Sequence, residues 1–91
     1  MPAVAEFLIE LYVPRTNALG VELHARRVRI AAEELTRAGT AVRFLRSIFV
    51  PDDELCFLMF EATCEQDVRV AAHRADLRFE RISEALTTAE A

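Results

Sequence analysis

The hydrophobic segments read as one unit written twice, and that repetition constrains the fold more than any other feature of the chain. Segments 6–13, 41–50, 55–62 and 81–86 are short, apolar runs that read as strands. Segments 19–38 and 65–75 carry apolar residues at helical spacing. Pro51-Asp52-Asp53 supplies a turn between the two halves. The order βαββαβ in one domain, residues 1–91, predicts an α+β, ferredoxin-like fold. Its antiparallel four-stranded sheet takes the order 4-1-3-2, with two helices on one face. Such a fold hosts many unrelated functions, so it supplies a scaffold and not a reaction.

The faces of these elements carry the next inference. The first strand alternates, with Phe7, Ile9, Leu11 and Val13 on one side and Glu6, Leu8, Glu10 and Tyr12 on the other. Residues 55–60 are apolar on both sides. With both helices on one face of the sheet, the other face would meet water. Burying each large apolar side chain contributes about 1.5–3 kcal/mol, so that face is expected to be covered. Composition agrees, because 53% hydrophobic residues is rich for 91 residues. The economical cover is a second copy, giving a homodimer through the open sheet face. On the first helix His24, Val28, Ala31, Leu35 and Ala38 share one stripe; Glu22, Arg26, Arg29, Glu33 and Arg37 form the solvated side. Gly39 is placed to end this helix in a left-handed cap. Val68, Ala71, Ala72 and Ala75 form the stripe of the second helix, with His73 off it.

Several classes fall away early. A net charge of −4 argues against nucleic acid or an anionic membrane as partner. The opening Met1-Pro2-Ala3-Val4-Ala5-Glu6 lacks the basic region of a signal peptide, and no apolar run is long enough to span a bilayer. A cytoplasmic location is expected. Cys56 and Cys64 lack CxxC spacing. Mostly extended chain separates them by about 20 Å, which predicts two unpaired thiols. Gly20 and Gly39 are the only glycines, so there is no phosphate loop and no nucleotide cofactor is expected. Ser47 and Ser83 have no nucleophile elbow around them.

The predicted topology brings chemistry-bearing residues together. Tyr12, His24, Cys56 and His73 fall toward one end of the domain, near Asp52 and Asp53. Two imidazoles and a thiol suit a late transition metal such as nickel or zinc, with His24, Cys56 and His73 as ligands. A place in the first turn of the helix would keep the His24 ring neutral, as ligation needs. Each residue also has a plainer role. His24 fits a packed core histidine, Cys56 a small buried hydrophobe, and His73 a surface residue near a helix C-terminus. Glu6, Glu10 and Glu61 are acid–base candidates if the open face lines a dimer cavity; otherwise they pair across strands with Arg43 or Arg46.

Four stretches carry a family likeness: Val21-Glu22-Leu23-His24; the strand from Glu54 through Cys56 to Glu61-Ala62; the helix from Val68 through His73 to Ala75; and Glu80-Arg81-Ile82. On these the chain resembles a family of small actinobacterial and proteobacterial proteins of unknown function, often described as nickel-binding. The resemblance implies a dimeric, ferredoxin-like protein and points to His24, Cys56 and His73 as places where nickel would bind. Family members carry Gly, and often Pro, after the second helix; this chain has Asp76-Leu77-Arg78-Phe79 instead.

Together these observations predict a small, cytoplasmic, dimeric bacterial protein that binds a nickel-like divalent metal or a small ligand, more a binder than an enzyme. The alternative is a dimeric α+β barrel enzyme, monooxygenase- or isomerase-like, with a pocket of about 300 Å³ or more between sheet and helices. A third class is an interaction module with neither site.

Overall fold

A computed structural model describes residues 4–86. Residues 1–3 and the tail 87–91, which the sequence reads as frayed, lie outside the described residues. The elements are β1 (Ala5–Tyr12), α1 (Ala18–Arg37), β2 (Val42–Val50), a 3₁₀ turn (Pro51–Asp53), β3 (Leu55–Ala62), α2 (Glu65–Arg74) and β4 (Arg81–Ala85). Each expected element forms, with bounds within one residue of those read from the sequence. The sheet order is β2-β3-β1-β4 and every pairing is antiparallel. This is the ferredoxin-like α+β arrangement.

Local chemistry sets the element ends. The Asn17 side chain accepts a hydrogen bond from the Gly20 amide at 3.1 Å and caps α1. It folds so closely over Gly20 that a Cβ there would lie 2.5 Å from Asn17 Nδ2, so a larger residue would make the capping side chain shift. At the other end Gly39 takes φ +107°. Its amide bonds Thr36 O at 3.1 Å, and the Thr40 amide bonds Leu35 O at 2.9 Å. That pair of bonds is a Schellman motif. The same motif ends α2, where the Asp76 amide bonds His73 O and the Leu77 amide bonds Ala72 O, both at 3.0 Å. Here Asp76 holds the left-handed conformation, φ +54°, that a glycine would take. Leu77 is buried beside it, giving the motif its apolar contact.

Period-two alternation sorts the sheet into two faces. Phe7, Ile9 and Leu11 of β1 and Cys56, Leu58 and Phe60 of β3 pair in register and are buried under the helices. From α1 they meet Val21, Val28 and Leu35, and from α2 they meet Val68, Ala71 and Ala72. The centre of the space between sheet and helices is filled by this core, with Ile9, Val28, Leu58, Phe60 and Val68 all at 0% exposure, so a pocket of the kind the alternative enzyme needs has room only toward the sheet's edge.

One side chain ties the helix layer to the sheet edge. Thr36 Oγ1 donates to Val42 O at 2.8 Å and accepts from Val42 N–H at 3.1 Å. The N–H and C=O of one strand residue point the same way, so both groups of Val42 point away from β3. Thr36 thus stands in for a neighbouring strand at the start of edge strand β2.

Candidate functional site

The predicted ligands end up in three different surroundings. His24 is the seventh residue of α1, beyond the first turn, so the helix terminus has little hold on it. Its ring is half-buried, and Nδ1 is sealed from solvent with no hydrogen-bond partner among the described residues. Burial, and secondarily the Arg27 guanidinium, push its pKa below the ordinary 6.5. The neutral ring expected from the sequence is therefore found, but the helix dipole is not its cause.

Cys56 lies on the helix-facing side of β3 at 0% exposure, and burial pushes its thiol up to about 11. Without a metal it stays protonated at neutral pH. Cys56 takes its plainer role, a small buried hydrophobe. His73 stands exposed in the last turn of α2. Among the described residues no group of three or more His, Cys, Asp or Glu side chains is arranged to hold a metal ion. His24, Cys56 and His73 therefore do not make a three-ligand centre within one chain. Both thiols are free, Cys56 buried and Cys64 exposed.

Tyr12 and Cys56 show why the topological grouping breaks up. Tyr12 pairs with Leu55, and Cys56 is the next residue along the strand. Neighbouring residues of a strand point to opposite faces, so the phenol and the thiol sit on opposite sides of the sheet. Asp52 and Asp53 are exposed in the 3₁₀ turn. That turn is held to the end of β1 by Arg15, whose amide bonds Glu54 Oε2 at 2.9 Å and whose guanidinium reaches Asp52 O at 3.5 Å.

The face away from the helices presents a different kind of surface. By register it carries Leu8 and Tyr12 of β1, Leu55, Phe57 and Met59 of β3, and Ile48 of β2. Tyr12 is 56% and Ile48 44% exposed. Around them stand Arg43, Arg46 and Arg81, and Glu6, Glu10 and Glu61. Glu61 pairs with Arg43 at 3.8 Å, the cross-strand pairing foreseen for it, while Glu10 pairs with Arg81 at 3.5 Å, a partner not foreseen from the sequence. Arg46 instead reaches over the sheet, placing Nη1 3.5 Å from Met59 Sδ. Arg46 was read from the sequence as a neighbour of the open-face carboxylates, whereas Ile48 was not read as a member of this face. A bulge between Phe44 and Arg46 shifts the alternation of β2, and only pairing with β3 reveals the new register.

No helix among the described residues is long and apolar enough to cross a membrane. Neither a protein-family model nor a curated protein matches the chain. Among solved structures, the crystal structure of SCO4226 from Streptomyces coelicolor A3(2) is similar at a TM-score of 0.71 and 17% identity, covering 93% of this chain and 100% of that one. At that identity the likeness shows a shared fold alone, and the fold is the ferredoxin-like α+β domain described above.

Proposed function

We propose that this protein works as a homodimeric binding module whose two open sheet faces pack together. The observation that carries the reading is the apolar face that no helix covers: Leu8, Tyr12, Ile48, Leu55 and Phe57 form one patch, with Met59 buried beside Arg46. Its surround is self-complementary in charge, three arginines against three glutamates, although the chain as a whole is at −4. A second copy therefore meets no net repulsion there, and sheet-on-sheet packing keeps the apolar centre dry. Light scattering at micromolar concentration should give twice the chain mass. Phe57→Glu, which places a charge at the centre of the face, should give a folded monomer. A monomeric wild type, or a dimeric Phe57→Glu variant, would refute the reading.

A second reading is favoured by one specific observation, the neutral His24 ring whose buried Nδ1 has no hydrogen-bond partner among the described residues. It is a divalent metal of the nickel type, or a small ligand, bound at that imidazole. One ring supplies one donor, so water or a second chain fills the other positions. Titration calorimetry of nickel into the metal-free protein should give saturable heat at neutral pH that is lost in His24→Ala. No heat, or equal heat from both proteins, returns His24 to its role as a packed histidine.

A further inference from the structure

A cleft of about 500 Å³ lies between α1 and the edge strand β2, on the opposite side of β2 from the open face's centre. Its size falls in the range of small-molecule sites, roughly 300–1,000 Å³. The floor is apolar, made by Ala32 and Val42 with Phe44 beside them. Arg29 and Arg37 of α1 and Arg43 of β2 line it, against one carboxylate, Glu33. Three guanidiniums to one carboxylate is a local excess of positive charge in a chain whose net charge is −4.

The arginines are placed in different ways. The Arg29 guanidinium lies 5.4 Å from the centroid of the Phe44 ring, so stacking holds it while its N–H edges stay free. Arg37 sits in the last turn of α1, where the helix dipole favours a cation. Arg29 and Arg37 are eight residues apart, which is about 12 Å along the helix axis. Two side chains of that length reach one anion between them. Neither arginine makes an ion pair with a carboxylate among the described residues, although Glu33 lies one turn from each. Arg43 is already paired with Glu61.

We propose that this cleft binds a small organic anion, its carboxylate or phosphate held by Arg29 and Arg37 and its aromatic or aliphatic body laid on Ala32, Val42 and Phe44. A peptide strand added to the edge of β2 fits less well. Thr36 already occupies the N–H and C=O of Val42, and the bulge between Phe44 and Arg46 breaks the line of backbone groups that a new strand would need. The site is independent of both readings above. Arg29 and Arg37 are not on the open face, and His24 does not line the cleft.

The experiment is titration with phenyl phosphate followed by amide shifts in two-dimensional NMR, with inorganic phosphate and phenol as separate arms. Phenyl phosphate should give saturable shifts confined to residues 29–37 and 42–44. The two halves of the probe alone should bind at least about tenfold more weakly. The double variant Arg29→Gln/Arg37→Gln should also lose about tenfold or more, as should raising salt from low to high ionic strength. Both positions are exposed, so the variant's spectrum should otherwise match the wild type. Arg43 is left intact so that the open face is undisturbed. No saturable shift up to about 10 mM probe, shifts mapping elsewhere, or equal binding by the double variant would overturn the proposal. Phosphate alone binding as tightly as phenyl phosphate would overturn the apolar half of it.

Discussion

Replacing Thr36 with valine isolates the link between α1 and the sheet edge. The two residues have nearly the same shape and nearly equal helix propensity, so the change removes a hydroxyl and little else. That hydroxyl makes two bonds to one residue, at 2.8 Å to Val42 O and 3.1 Å from Val42 N–H. A typical internal hydrogen bond contributes about 1 kcal/mol net. Leaving a buried backbone group unpaired costs about 1–3 kcal/mol. Val42 is only 4% exposed, but its backbone lies at a sheet edge, where water recovers part of the loss. The expected destabilisation is therefore about 2–3 kcal/mol, between two net bonds and two full penalties. With a urea slope of about 1–1.5 kcal/mol/M, the unfolding midpoint should fall by roughly 1.3–3 M. The comparison is made at one protein concentration, because association adds to apparent stability. Thr36→Ser keeps the hydroxyl and should recover most of the loss. Exchange at the Val42 amide should accelerate in the valine variant and not in the serine variant. A valine variant whose midpoint matches wild type, or a serine variant as unstable as valine, would refute the reasoning.

Three further outcomes follow from the geometry. Asp76→Gly relieves a side chain held at φ +54° and should raise stability by about 0.5–1 kcal/mol; a lower melting temperature would mean the Asp76 side chain contributes more than the strain costs. In the native protein at pH 8 a thiol reagent should modify one cysteine per chain, the exposed Cys64, because Cys56 is buried and titrates near 11; two fast equivalents would contradict this placement. The folded-state pKa of His24 is depressed, so as pH falls below about 6.5 the unfolded chain takes up the proton first and stability declines until the folded pKa is passed. His24→Gln should flatten urea stability between pH 6.5 and the acid limb relative to wild type, and an unchanged slope would place the titration elsewhere.

Segment order, strand alternation and helical phase were legible in the amino-acid sequence because each is a local property. The two faces of β1 follow from residues 6–13 alone, and the cap at Gly39 follows from the chain needing a left-handed residue after Arg37 and Ala38. The Asn17 cap was missed because the helix was expected to start at Leu19, although Asn immediately before a helix accepts from the first free amides. The apolar open face was visible as well, because residues 55–60 are too apolar on both sides for a one-sided sheet.

Tertiary structure decided what local pattern could not. Topology placed His24, Cys56, His73 and Tyr12 toward one end, but the direction of each side chain depends on its own element. The pleat sends Cys56 into the core and Tyr12 to the other face, and helical phase leaves His73 in solvent. Arg29 and Arg37 read as an ordinary solvated helix face until β2 is laid beside α1 and Phe44 comes under Arg29. Thr36 reads as a polar helix residue until Val42 returns six residues later with its backbone turned outward. Period and phase act over a few residues and are written in the chain; which groups meet depends on how layers stack, and that is fixed only when the whole core closes.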